Sequence, residues 1–254
     1  MRDLVGRTAL VTGASGGLGP VIARRLHREG MRLVLSGRRR TELETLAREL
    51  VGSRVITADL ARRGEVERLA GEAGPVDLLV ANAGLSPSGP LLDLEVAGID
   101  QALEVNIRAP VVLSRLLLPG MVRRGSGHIL LMASMAGMIP STVSSIYSGT
   151  KFGLRGFGHS LRGELRGTGV SLSLVSPAYV RDVGFFADAG GSAPGLTVSP
   201  DQVADACLRA VLQDRAEVTV APFYARLSGT VSLAAPALAA RVRRRLTDLQ
   251  QPKS

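Results

Sequence analysis

The sequence predicts an α/β fold: a doubly wound parallel sheet between two layers of helix, built as one domain over residues 1–254. Three observations carry this expectation. Short aliphatic runs alternate with amphipathic stretches of helical period. The aliphatic runs are apolar throughout rather than at every second residue, which implies strands buried on both faces. A glycine-rich turn, "TGASGGLG", joins the first such run directly to the first helical stretch. Strand–helix repetition of this kind requires right-handed crossovers and gives a three-layer αβα sandwich, the Rossmann-type arrangement.

In chain order, "TALVTG" reads as the first buried strand and "GLGPVIARRLHREG" as a helix that stops at Gly30. "MRLVLSG" is the second strand, and "RTELETLAREL" spaces its leucines and charges at helical intervals. "SRVITADL" and "VDLLVANAG" are further strands, separated by the helical "RGEVERLAGEA". A long helix follows over roughly 98–124, then the strand "GHILLMAS". The helix holding Tyr147 runs to about Gly167 and leads into "VSLSLVSP". After Pro177 the rhythm breaks. Residues 178–199 are rich in Gly, Ala and Ser, yet hold Tyr179, Phe185, Phe186 and Leu196, a composition suited to a mobile lid over an apolar pocket. "PDQVADACLRAVLQ" and "EVTVA" add a helix and a short strand. The last stretch, about 223–254, is apolar and then basic; it is read as a docking helix or subunit contact in preference to a membrane-surface segment.

At 254 residues, with 45% hydrophobic residues and 30 glycines, the chain can bury a sizeable core. The formal net charge of +9 raises the question of nucleic acid. However, the basic residues are scattered along helical patterns, and aromatics at 3% supply no stacking platform, so a nucleic-acid partner is not expected. The single cysteine, Cys207, cannot form an internal disulfide and is read as a small core residue. "MRDLVGRTALVTG" lacks the apolar core of a secretory signal, and no run reaches about 18 consecutive apolar residues, so the expected location is cytoplasmic. His27, His128 and His159 fall in separate elements without carboxylate or cysteine companions, and no metal site is expected. Met132 reads as core, whereas Met135 and Met138 could line a pocket.

The glycine-rich turn carries the first functional signal. Gly13, Gly17 and Gly19 permit tight turns and close approach of the main chain to a ligand. The following helix N-terminus presents unpaired amides to a pyrophosphate. At the end of the second strand, a dinucleotide without a 2′-phosphate calls for an acid, and one with it calls for arginine. Here Gly37 stands where an acid would, followed by Arg38, which can pair with a phosphate bidentately. NADP(H) is therefore the preferred cofactor, with NAD(H) as the alternative.

These residues carry a family resemblance. The chain resembles the short-chain dehydrogenase/reductase family, of the soluble type of roughly 250 residues. The match runs from "TGASGGLG" through "ADL" at Asp59, "ANAG" at Asn82 to Gly84, "VN" at Asn106, and Ser134 to "YSGTK" at Tyr147 and Lys151, about three quarters of the chain. The resemblance implies that Gly13, Ser15, Gly16, Gly17, Leu18 and Gly19 hold the cofactor. Asp59 and the Leu60 backbone would meet the adenine, and Asn82, Ala83 and Gly84 would line the cofactor beside Tyr147 and Lys151. It also implies a catalytic tetrad of Asn106, Ser134, Tyr147 and Lys151, and a homodimer or homotetramer. The family's "PG-x-V-x-T" stands here as "PAYVRD". Pro177 and Val180 retain their places, Ala178 replaces Gly, and Asp182 replaces the Thr that holds the nicotinamide amide.

The implied reaction interconverts a carbonyl and an alcohol by hydride transfer, which needs a proton at the oxygen. A phenol of pKa about 10 is a poor donor near neutrality. Lys151, one turn from Tyr147 on the same helix face, is expected to lower that value. Ser134 ends a buried strand at the carboxyl edge of the sheet, where it can orient the substrate oxygen, although it could simply cap the next segment. Pro110 lacks the N–H that would bond the Asn106 carbonyl, so a kink is expected there, with that carbonyl free to pass protons towards Lys151. The expected substrate is a small-molecule lipophilic ketone or aldehyde. A 3-oxoacyl-carrier-protein reductase has the same core, and a non-catalytic NADP-sensing protein remains the reading from a different class.

Overall fold

The computed structural model describes residues 3–140, 142–184, 197–235, 237 and 241. Strands β1 (Thr8–Thr12), β2 (Arg32–Gly37), β3 (Arg54–Thr57), β4 (Leu78–Ala81), β5 (Gly127–Met132), β6 (Val170–Pro177) and β9 (Glu217–Val220) form one sheet. Its order is β3-β2-β1-β4-β5-β6-β9, and every pair is parallel. The strand order reverses between β1 and β4. A crevice therefore opens at the carboxyl ends of these two strands, which is where doubly wound folds bind ligands.

Helices α1 (Gly19–Arg28), α2 (Arg40–Glu49) and α7 (Pro200–Leu212) cover one face. Helices α3 (Arg63–Ala73), α5 (Ala109–Arg123) and α6 (Ser145–Glu164) cover the other. The strands explain why both layers are needed. Leu78 and Val80 of β4 enter the first core, while Leu79 and Ala81 enter the second. Leu130 and Met132 of β5 are likewise separated from Ile129 and Leu131. Period-two alternation persists in direction, but both directions are apolar because both faces are covered.

The predicted helix over 98–124 is real but composite. It comprises α4 (Val96–Leu103), a π-helical turn (Glu104–Arg108) and α5. Pro110, in the first turn of α5, cannot donate to the Asn106 carbonyl, and the backbone widens just before it. The kink expected at Pro110 is thus a π-bulge. The span Val96–Arg123 is long and apolar enough to cross a membrane by length and composition. Ala109, Leu113, Leu117 and Met121 nevertheless lie buried against the sheet, as in a core helix.

The predicted lid differs from an open loop in one respect. β7 (Tyr179–Val180) pairs in parallel with β8 (Thr197–Val198), so the segment's two ends are tied together. Phe185, Phe186 and Leu196 lie outside the described residues. Beyond β9, α8 (Phe223–Ala234) begins the C-terminal stretch, most of which is also outside them.

Candidate active site

The glycine turn leaves β1 at the reversal point. Gly13 and Gly17 adopt positive φ, +67° and +57°. A Cβ on Gly13 would lie 2.9 Å from the Ala83 Cα, so the turn after β1 and the turn after β4 touch backbone to backbone. Thr12, which sequence reasoning passed over, stitches them. Its hydroxyl accepts from the Asn82 and Ala83 amides, both at 3.1 Å, and donates to the Val80 carbonyl. The Asn82 side chain donates to the Thr12 carbonyl at 3.1 Å. Gly19 is packed against the Gly13 carbonyl too closely for any side chain. The loop is thus a cradle that Cβ atoms would fill, with the α1 amides at its rim, and it fits a dinucleotide pyrophosphate.

At the end of β2 the structure adds Arg39 to Arg38 as a candidate for the cofactor corner. Arg38 is exposed. It is the Arg39 guanidinium that donates to the Ser15 carbonyl and lies over Gly16, with Glu42 at 3.4 Å from its Nε. Gly37 leaves room for the Ser15 hydroxyl, whose oxygen would lie 2.7 Å from a Cβ there. The "RRR" run pointed to this corner, but only the three-dimensional turn after Arg38 decides which guanidinium reaches the loop. Asp59 accepts from the Ala61 amide at 3.1 Å and lies 3.8 Å from Arg62, while Leu60 is buried.

The second group of residues gathers at the carboxyl end of β5. Ser134 follows that strand, and its hydroxyl accepts from the Ala136 amide at 3.1 Å, capping the short helix Met135–Gly137. The capping alternative therefore holds, but it does not use up the side chain, because Ser134 is also hydrogen-bonded to the Tyr147 hydroxyl. Gly137 makes this proximity feasible. A Cβ there would fall 2.7 Å from the Lys151 carbonyl oxygen, so only glycine lets the turn pack on the α6 backbone.

Lys151 is buried, its Nζ donates to the Met132 carbonyl at 2.8 Å, and it sits 5.5 Å from the centroid of the Tyr147 ring. Burial lowers its pKa to about 8. Tyr147 departs from expectation. Burial pushes its pKa up, with the Ser134 hydrogen bond pulling it partly back. At 5.5 Å from the ring centre the Lys151 charge does not offset the desolvation of the phenol, so a net depression is not present in this arrangement.

Asn106 faces the same region through its side chain rather than its carbonyl alone. It donates to the Leu85 carbonyl and accepts from the Leu85 amide, both at 2.8 Å, and donates to the Thr150 hydroxyl at 3.1 Å. Thr150 in turn donates to the Tyr147 carbonyl at 2.7 Å. The π-bulge thus fixes α6 relative to the turn after β4, a positioning role that sequence spacing could not reveal.

Other expectations resolve as follows. Val180 lies in β7 and Pro177 ends β6 in the core layer. Asp182 has φ +68° and an exposed carboxylate 3.6 Å from Arg181. Met135 and Met138 form a small apolar cluster with Ala221 and Ala225, flanked by Ile139 and Ala178, beside Ser134. Cys207 is a buried core residue. His159 does have a carboxylate companion, contrary to expectation. Its Nε2 lies 3.0 Å from Glu217, which also binds Arg155 and Ser176. The 58 residues separating the pair hid it from a sequence reading.

A family model of short chain dehydrogenases matches residues 7–189. The chain belongs to the short-chain dehydrogenase family. Among its relatives, the ketoacyl reductase HetN of Nostoc sp. is 37% identical over 230 residues, covering 87% of this chain and 80% of that protein. A short-chain dehydrogenase from Sphingobium yanoikuyae, solved in complex with NADPH, superposes with a TM-score of 0.78 at 28% identity over 98% of both chains. A metagenomic short-chain oxidoreductase in complex with NADP gives 0.73 at 34% identity, over 87% of this chain and 99% of that one. As a short-chain dehydrogenase, the protein is an NAD(P)-dependent oxidoreductase acting on CH–OH groups.

Proposed function

We propose that this short-chain dehydrogenase reduces a lipophilic ketone or aldehyde to the alcohol with NADPH, Tyr147 giving the proton to the carbonyl oxygen. The observation that carries this reading is the grouping of Ser134, Tyr147 and buried Lys151 at the carboxyl end of β5, the strand adjoining β4 at the dinucleotide crevice. The cofactor, when bound, supplies the hydride.

The chain's own residues do the rest. Gly13 to Gly19 would receive the pyrophosphate, and Arg38 with Arg39 the 2′-phosphate. Asp59 and Leu60 would border the adenine, and Asn82 to Gly84, Pro177 and Val180 the nicotinamide half. Ser134 donates to the substrate oxygen and holds it at the Tyr147 hydroxyl. The phenol is protonated near neutrality and donates as negative charge develops on that oxygen; burial makes it a weaker acid, which the charge of Lys151 would have to offset. Lys151, at about 8, is still largely an ammonium near neutrality and stabilises the phenolate left behind. The phenolate would recover its proton by way of Lys151, which a water held at the Asn106 carbonyl would resupply. Met135, Met138 and Ala178 give the substrate an apolar wall.

A panel of ketones and aldehydes, followed by loss of NADPH absorbance, tests this. Turnover with bulky apolar carbonyls supports it, and no turnover across the panel would revive the cofactor-sensing alternative. A second reading, reduction of a 3-oxoacyl thioester on an acidic carrier protein, draws on the likeness to a ketoacyl reductase and on the net charge of +9. A salt-sensitive requirement for the carrier protein distinguishes it.

A further inference from the structure

Helix α8 is amphipathic in the reverse sense. Its inward positions are the small residues Ala225, Gly229 and Ser232, at the i, i+4, i+7 spacing of one helix face. Gly229 packs directly on Met135 and Met138. Its bulky apolar residues point outward instead. Phe223 is 81% exposed and Leu227 56%, with Tyr224 and Val231 beside them. At about 100° per residue these four fall within a single stripe about 100° wide, flanked by Arg226 on one side. A row of large exposed apolar side chains on one helix marks a surface that something covers.

The sequence that follows indicates what. Four arginines occur in five residues, Arg241, Arg243, Arg244 and Arg245, and Arg241 is exposed. An outward aromatic and aliphatic row followed in sequence by a dense arginine cluster matches the two needs of an interfacial segment: apolar burial at the acyl boundary and attraction to anionic headgroups.

We propose that α8 docks this protein on an anionic lipid bilayer, with Phe223, Tyr224, Leu227 and Val231 as the inserting row. The membrane-surface alternative set aside on sequence alone is thereby preferred. The reason is the exposed bulky row together with the arginine cluster that follows it in sequence, a combination that a contact between copies does not require. Because the inner face of α8 packs on Met135 and Met138, the helix would lie between the bilayer and the wall next to Ser134. The proposal does not depend on turnover.

The test is co-sedimentation of the full-length protein with vesicles of phosphatidylcholine alone and with added phosphatidylserine, in low and high salt. The wild type should sediment with the anionic vesicles and be released by salt. F223S/L227S, which changes only exposed side chains, should bind roughly tenfold or more weakly while keeping its Tm. R241Q/R243Q/R244Q/R245Q should lose the preference for phosphatidylserine. Absence of the wild type from both vesicle pellets overturns the proposal. So does equal binding by F223S/L227S, or a wild-type oligomer that F223S/L227S dissociates without any vesicle binding, since the face would then belong to a second copy.

Discussion

The Lys151 ammonium lies 5.5 Å from the centre of the Tyr147 ring and donates to the Met132 carbonyl, not to the phenol. The lysine is anchored to β5, and the tyrosine is joined to Ser134 on the loop that β5 leads into. The proposed acid and the ammonium beside it are thus held by the same strand end, Tyr147 through a hydroxyl and Lys151 through a main-chain carbonyl. This arrangement has consequences for pH and for stability.

Burial sets the Lys151 pKa at about 8, below its ordinary 10.5. The ammonium that steadies the phenolate is present below pH 8 and lost above it. The kcat/KM for carbonyl reduction should fall as pH rises through about 8, and a pH–rate profile checks this.

The same shift makes Lys151 costly to the fold. The unfolded chain binds its proton up to about 10.5 and the folded chain only to about 8, so stability rises with pH between those values and carries the penalty below them. Lys151→Met removes the buried charge but also the bond to Met132. It should leave the protein as stable at pH 7 or up to about 3 kcal/mol more so, while abolishing turnover. Thermal melts and a turnover assay on one preparation measure both.

His128 gives the opposite end of the scale. It is fully buried at the start of β5, its Nε2 is 2.9 Å from Ser173, and its Nδ1 has no partner among the described residues. Burial lowers its pKa to about 3, with nearby Asp214 opposing and Arg162 reinforcing the shift. The unfolded chain binds a proton from about 6.5 downward and the folded chain does not, so stability falls as pH drops through 6.5 towards 3. Between pH 7 and 5 this amounts to about 2 kcal/mol. Denaturant melts at the two values should show that difference shrinking in His128→Gln.

The Arg39 guanidinium over Gly16 should discriminate between cofactors. A charge-assisted contact to phosphate is worth about 1.5–3 kcal/mol, so Arg39→Ala should lower the NADPH-to-NADH ratio of kcat/KM roughly ten- to a hundredfold. Arg38→Asp should shift preference towards NADH as well. Steady-state kinetics with both cofactors distinguishes their shares.

Gly137 tests whether the turn must pack on α6. Gly137→Ala places a carbon 2.7 Å from the Lys151 carbonyl, so the turn carrying Ser134 must move away from Tyr147. Destabilisation of about 1–3 kcal/mol is expected, with kcat reduced more than tenfold. Urea melts and kcat report the two effects separately.

The sheet was legible because its strands are apolar on both sides. "TALVT", "LLVA" and "GHILLM" could be read as buried without knowing their neighbours. The proximity of Ser134, Tyr147 and Lys151 was legible, since Tyr147 and Lys151 share a helix turn and Ser134 ends a strand. What stayed hidden depended on long-range contacts. Thr12 binding Asn82, Asn106 binding Leu85, and His159 meeting Glu217 all join distant parts of the chain. The direction of the Tyr147 shift was missed because spacing reports proximity to Lys151 but not burial. Arg39 was passed over because three consecutive arginines look alike until the turn before α2 aims them.

The central claim is that the Tyr147 hydroxyl gives the proton that accompanies hydride transfer. Single-turnover reduction of a good carbonyl substrate by Tyr147→Phe, alongside NADPH binding by fluorescence, tests it most directly. The expected result is unchanged NADPH affinity, to within a factor of about three, with the chemical step slowed roughly 10²–10⁴-fold. A chemical step as fast as the wild type's, with cofactor binding intact, would contradict it.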